Sequence, residues 1–308
     1  MPRATAPDRS VMRLSHGQAA WAMVGVTLLW SIAGVVTRHL EAARAFEVTF
    51  WRSCFNAAFL LLVLTAWRGR GLWQRVAQGG WPLWMSGLMW AVMYTCFMVA
   101  LTLTTVANVL VTMALSPLLT ALIARFTLGQ RLPVRTWAAI LVAGVGIGWM
   151  YGQQIAGGDA RHLLGTLVAL AVPLASAINW TVIQRGSRTS VDGGEGQDML
   201  PAVLIGALLS SLVSLPLAWP LQASAYDLSL LAGLGVFQLA IPCLLAVGIA
   251  RVLPAPEVAL LALLEVVFGV AWAWLGANEA PSLAVLGGGA LVLLSLVGNE
   301  VLGLRKRL

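Results

Sequence analysis

Two charged side chains sit deep inside apolar runs. Glu265 lies nine residues into the run 256–276, about 13 Å from its start at 1.5 Å of helical rise per residue. Arg52 lies six residues into the run 46–66, about 9 Å from its start. A charge near a bilayer centre costs about 2.5–3.5 kcal/mol even on insertion scales, so such groups face a cavity or a partner. Desolvation disfavours the charged form of a carboxyl, so Glu265 could take up and release a proton, or bind a substrate ammonium. The plainer alternative is an acid hydrogen-bonded between helices. Arg52 could anchor its helix by snorkelling. It could also meet Glu265, since in a ~30 Å core their depths differ by roughly 8 Å.

Neutral polar and aromatic groups extend the set. Asn108, Thr112, Ser116 and Thr120 recur every four residues, which keeps them on one slowly rotating helix face. They could wall a cavity, or allow close packing with hydroxyls bonded to their own backbone. Pro117 is expected to kink that helix and free a carbonyl. Trp90, Tyr94 and Met98 form an i, i+4, i+8 stripe suited to an apolar pocket or to plain packing. Trp30 also lies mid-span, and Asn179 and Gln238 are further polar candidates inside apolar runs.

The elements that must position these residues are transmembrane helices. Hydrophobic residues make up 59% of 308 positions and charged residues 10%, against about 25% charged in soluble domains. Apolar runs of about 20 residues, the length that crosses a bilayer as a helix, occur at 19–37, 46–66, 81–102, 106–128 and 134–152. They recur at 163–184, 199–220, 229–252, 256–276 and 281–303. The first follows Arg3, Arg9 and Arg13 without a convincing cleavage site, which fits a retained helix rather than a signal peptide. Most of the 14 tryptophans fall near run ends, where they anchor helices at the interface.

Charge sets the expected orientation. With the N-terminus inside, fifteen Arg and Lys residues fall on cytoplasmic segments, and only Arg38, Arg44 and Arg161 fall outside. That is a positive-inside bias with both termini cytoplasmic, in the plasma (inner) membrane. The net charge of +7 is thus a property of loops and implies no nucleic-acid partner. Cys54, Cys96 and Cys243 lie within spans without a CxxC pair, which supports neither a disulfide framework nor a zinc site. His16, His39 and His162 lie in the tail or loops, so no intramembrane metal cluster is expected, and no cofactor.

Ten spans divide five and five around 153–162, and an odd number per half means that repeated halves would be inverted in the membrane. Laying Ala107–Pro133 over Pro256–Ser282, a shift of 149 residues, matches Val109 with Val258, Leu115 with Leu264 and Ala124 with Ala273. It also sets Asn108 opposite Glu257 and Ser116 opposite Glu265.

The segments ALSPLLTALIARFTLGQRL (114–132) and LLEVVFGVAWAWLGANEA (263–280) resemble the paired signatures of the EamA-type drug/metabolite transporter superfamily. TLLWSIAGVVTRHL (27–40) and FWRSCFNAAFLLL (50–62) are similar to its first two helices. Gln130 stands for the usual glutamate of the first turn, Asn278 for the glycine of the second, and Val266 for the second proline. The resemblance implies an all-α fold of ten helices, with a cytoplasmic tail 1–18, one five-helix repeat in 19–152, an inverted one in 163–303, and a basic tail 304–308. It further implies a central cavity and transport, commonly export, of amino acids or other small metabolites. An arginine like Arg52 and a glutamate like Glu265 are frequent in the family.

The expected partners are a small-molecule substrate and the lipid bilayer, in a monomer or homodimer. An intramembrane enzyme would need a G-x-S-x-G elbow or a phosphate-binding glycine loop, and neither occurs. A channel would need a repeated filter or a ring of like charge. A non-transporting scaffold would differ only in moving nothing across liposomes. For the topology, alkaline-phosphatase fusions after residue 158 should be active and those after residue 192 inactive. The reverse pattern overturns the orientation.

Overall fold

The computed structural model describes residues 15–69, 71–128, 133–156, 160–188, 198–253, 258 and 261–305, and among these the chain is helical throughout, without strands. Gln130, Glu257, Arg3, Arg9, Arg13, Arg70, Arg131, Lys306 and Arg307 lie outside the described residues. Among the described residues, seven stretches are long and apolar enough to cross a membrane: His16–Thr37, Phe46–Trp67, Trp81–Leu103, Val106–Ile123, Ala160–Ile183, Leu200–Ala218 and Ala225–Ile249. Three shorter apolar helices, Val134–Trp149, Leu264–Ala277 and Leu283–Asn299, fall where the sequence predicts the remaining spans. The outward surface carries Trp21, Leu62, Phe126, Leu141 and Leu275, a lipid-facing rather than aqueous surface.

Several helices end or break at residues that dictate it. Helix α1 (His16–Ser31) starts in a capping box, with the Ser15 hydroxyl accepting from the Gln18 amide and the Ser15 amide donating to Gln18 Oε1. It breaks at Ile32 before α2 (Ala33–Thr37). Next come α3 (Ala45–Arg68), α4 (Gly71–Ala77) and α5 (Trp81–Leu103). Thr104 is extended and Thr105 N-caps α6 (Val106–Met113), which makes the shallow boundary at 103–105 a true chain break.

The fourth predicted span is not one helix. Pro117 has no N–H to offer the carbonyl one turn back, and the chain turns at Ala114 and Leu115 before α7 (Ser116–Leu128). Then follow α8 (Val134–Ala156), α9 (Ala160–Arg188, with Pro173 inside) and α10 (Leu200–Ala218). The eighth span is built from α11 (Ala225–Gly233), a π-helical segment (Leu234–Ala240) and α12 (Ile241–Ile249). Residue 263 is a turn, and α13 (Leu264–Ala277) begins there. It ends with Asn278 at φ 51°, a left-handed position that glycine takes most easily and asparagine next. The last helix is α14 (Leu283–Arg305).

The helices pair closely. Helix α5 lies against α9 and α10, α3 against α10 and the π segment, and α1 against α12 and α13. Helix α6 packs on α9 and α13, α7 on α9, and α8 on α14. Small residues permit this approach, as expected in lipid. A Cβ on Gly87 of α5 would lie 2.5 Å from Ile205, and one on Gly206 of α10 would strike the Trp90 side chain.

At one end of the bundle the helix ends are tied by charged side chains. Arg38 bonds Glu279 at 2.7 Å and donates to the Leu101 and Thr104 carbonyls at 2.8 Å each. The other Glu279 oxygen accepts from the Val106 amide at 2.6 Å, the first amide of α6. Two carboxylates act reciprocally nearby. Asp227 of α11 accepts from the amides of Glu41, Ala42 and Ala43 ahead of α3. Glu47 of α3 accepts from the amides of Gln222 and Ala223 ahead of α11. Asp227 is fully buried, and each buried amide left without an acceptor costs about 1–3 kcal/mol. Asp227→Ala should therefore lower the thermal midpoint of the detergent-purified protein by several degrees, and an unchanged midpoint would refute the tie.

Candidate functional site

The breaks and the π segment surround one central cavity of about 930 Å³, its open mouth included. Its wall takes Trp30 from α1, Arg52 from α3, and Trp90, Met93, Tyr94 and Phe97 from α5. Leu110, Met113, Ser116 and Pro117 come from the α6–α7 break, and Val172, Pro173, Ser176 and Trp180 from α9. The π segment and α12 supply Gln238, Leu239 and Cys243, while Leu263, Glu265 and Val266 come from the start of α13.

Arg52 is the hub of this wall. The side chain is 1% exposed. Its Nη1 donates to Gln238 Oε1 at 3.0 Å and its Nη2 to the Tyr94 carbonyl at 3.1 Å, and its guanidinium carbon lies 5.8 Å from the Phe97 ring centroid. Gln238 Nε2 in turn donates to the Trp30 carbonyl at 3.2 Å. One guanidinium thereby links α3, α5, the π segment and α1. The π turn can approach only because residue 235 is glycine, whose Cβ would stand 2.7 Å from the Arg52 carbonyl. A π turn at such a place is characteristic of functional sites.

Glu265 stands in the first turn of α13, 9% exposed and facing the cavity. No ion pair joins it to Arg52 among the described residues. At the start of a helix, the unsatisfied amides and the macrodipole favour a carboxylate.

The other sequence candidates divide by position. Trp30, Trp90, Tyr94, Ser116 and Gln238 line the cavity with Arg52 and Glu265, and Ser116 donates to Ser176 at 3.1 Å. Thr112 is fully buried and donates to the carbonyl of Asn108. Asn108 donates to Thr104, and Asn179 accepts from Ser86 at 2.6 Å, so these three lie behind the wall. Met98 is buried in the packing around it.

Three participants escaped the sequence reading. Asn56 follows Arg52 by one helical turn, a signal that the i, i+4 rule could have caught. Phe97 and Ser176 carried no signal beyond their apolar surroundings.

Residues 18–152 match the EamA-like transporter family. The chain is similar to the pseudopaline exporter CntI of Pseudomonas aeruginosa (strain UCBPP-PA14), at 23% identity over 273 residues, which cover 87% of this chain and 90% of that one. A solved crystal structure shares its fold, with a TM-score of 0.64 and 22% identity over 94% of this chain and 99% of that one.

Ser116 sits at the helix break on the cavity wall, so Ser116→Trp should fill the space and abolish transport while leaving a folded, monodisperse protein. Wild-type flux in that variant would show that the face serves packing alone. A multi-pass helical bundle around a central cavity, with residues 18–152 matched by the EamA-like transporter family and most of its length similar to a named exporter, supports the reading of an EamA-type membrane transporter.

Proposed function

We propose that the chain exports amino acids or similar small metabolites by alternating access between two inverted five-helix halves, with Glu265 coupling the movement to protons. The observation that carries this reading is a carboxylate, without an ion pair among the described residues, that faces a central cavity at a helix break. Secondary transporters place their sites between discontinuous helices near the midplane, and the broken helices around this cavity support that reading.

The inverted-repeat part of the reading has two supports. The turns at Ala114–Leu115 and at Leu263 coincide under the 149-residue shift that sets Ser116 on Glu265. Helix pairing also survives exchange of the halves. The contact of α5 with α9 corresponds to that of α12 with α1, and α5 with α10 corresponds to the π segment with α3. Likewise α7 with α9 corresponds to α13 with α1. Export as the direction rests on the similarity to a named exporter.

In the proposed cycle the Arg38–Glu279 end is the outer side, closed by its charged ties while the cavity loads. A proton on Glu265 neutralises the carboxylate, which lowers the cost of carrying it through a dry intermediate. The test is flux in proteoliposomes loaded with a panel of amino acids. Wild-type protein should accumulate at least one of them in response to an imposed pH gradient. Glu265→Gln should still exchange that substrate but lose the response to the gradient. PH-driven accumulation that survives in Glu265→Gln removes the carboxyl from coupling, and a wild type that moves none of the panel removes the carrier reading.

A further inference from the structure

The α3–α5 side of the cavity contains polar atoms that the protein itself does not satisfy. They are Arg52 Nε, Trp90 Nε1, the Tyr94 hydroxyl and both amide atoms of Asn56, each fully buried and without a hydrogen-bond partner. Buried polar groups in native proteins are almost always bonded, to protein, to ordered water or to a ligand. Five unsatisfied atoms within two turns of two helices are therefore a cluster with a purpose.

The atoms are neighbours. Arg52 and Asn56 share a face of α3, one turn apart, as Trp90 and Tyr94 do on α5. Arg52 already bonds the Tyr94 carbonyl at 3.1 Å, the Trp90 and Tyr94 ring centroids are 5.5 Å apart, and Asn56 lies beside the Tyr94 hydroxyl. The Tyr94 hydroxyl also lies near Cys243, and neither approach reaches full hydrogen-bond geometry. Arg52, Trp90 and Tyr94 line the cavity, with Asn56 behind Tyr94.

Their chemistry is weighted towards donors. The guanidinium Nε–H and the indole N–H can only donate, the Asn56 amide nitrogen donates while its oxygen accepts, and a phenol hydroxyl does either. One fixed positive charge underlies them, because a guanidinium stays protonated in proteins. Donors around a single cation fit a singly charged anion with several lone pairs in a plane. A carboxylate has that charge and shape, and its bonds to a guanidinium are charge-assisted. A phosphate dianion would leave excess negative charge in an apolar wall.

We propose that Arg52, Asn56, Trp90 and Tyr94 form a carboxylate subsite, which holds the acid end of the transported molecule while its remainder lies in the apolar cavity towards Glu265. The inference rests on the carrier reading and deepens it by assigning the two ends of the substrate. Arg52 binds the charge, the indole and phenol set its orientation with Asn56 backing the Tyr94 hydroxyl, and the Glu265 end receives the group of opposite character.

The test compares amino acids with their own amides, which keep the ammonium and side chain but lose the carboxylate. Binding to the purified protein is read by thermal shift and equilibrium dialysis. Wild-type protein should bind at least one amino acid of the panel ten-fold or more tightly than its amide. Asn56→Asp places a carboxylate beside Arg52, so it should raise the thermal midpoint and abolish the preference for acids. Tyr94→Phe removes one donor at nearly constant volume and should reduce the acid-to-amide ratio several-fold without weakening the amide. Equal binding of acid and amide by the wild type means that the donors are met by ordered water only, which overturns the subsite and leaves the carrier standing. Retention of acid preference in a folded Asn56→Asp also overturns it. A wild type that binds no member of the panel sinks the subsite, while the flux measurement judges the carrier separately.

Discussion

A guanidinium buried in a bilayer is the constraint around which the rest of this protein is arranged. Arg52 cannot shed its proton, and carrying its charge into the apolar interior is costly. The cost is offset by bonds to the Gln238 side chain and the Tyr94 carbonyl and by the Phe97 ring. Each partner must then be held in place. Gln238 reaches Arg52 because the eighth span unwinds into a π turn, and the turn fits because Gly235 has no side chain to strike α3. The Tyr94 carbonyl is presented by a helix that α10 can approach closely only at Gly87 and Gly206. Removing one partner of a buried charge leaves the charge uncompensated, which is far more destabilising than the pair is stabilising.

The same economy appears at the Arg38 end, with the charges nearer to water. Arg38 and Glu279 are partly exposed, and a simple surface pair of this kind contributes little. Their weight comes from what else they bind. Arg38 takes two of the last carbonyls around the end of α5, and Glu279 takes the first amide of α6. These are helix-terminal groups that would otherwise go unsatisfied in a medium poor in water. Asp227 and Glu47 do the same for the segments ahead of α3 and α11. In the proposed cycle this is the end that opens, and its ties join helix ends rather than hydrophobic core residues.

Much of this was legible from the residues. Apolar run length located the seven long and three shorter apolar helices among the described residues, because a bilayer sets the length of a span, while the short α4 lay outside every run. Buried charge located Arg52 and Glu265, because lipid makes such residues expensive enough to be informative. Gln238, Tyr94 and Trp30 were found as polar or aromatic groups in mid-span. Hidden from the sequence were the broken backbones. Pro117 marked one break openly and Pro242 follows the π segment, but the turn at Leu263 carries no such breaker. The four-residue polar spacing predicted one helix face, but the turn at Ala114–Leu115 divides those residues between α6 and α7. Ser116 reached the cavity, while Thr112 and Asn108 turned to their own helix and its cap.

A site of this design separates two tasks that a single charge could not perform. Arg52 is permanently charged and tied to four elements, so it can fix one end of a guest but cannot change state. Glu265 is an acid at a helix start without a fixed partner among the described residues, so its charge can respond to a proton or to a bound cation. The wall between them is largely apolar and aromatic, with Trp30, Trp180, Met93 and Leu239, and offers contact without a strong demand on the guest's middle. Such a cavity distinguishes molecules by what they carry at their two ends rather than by the shape between. Under the proposed reading the middle of the guest can vary while its charged ends keep the coupling intact.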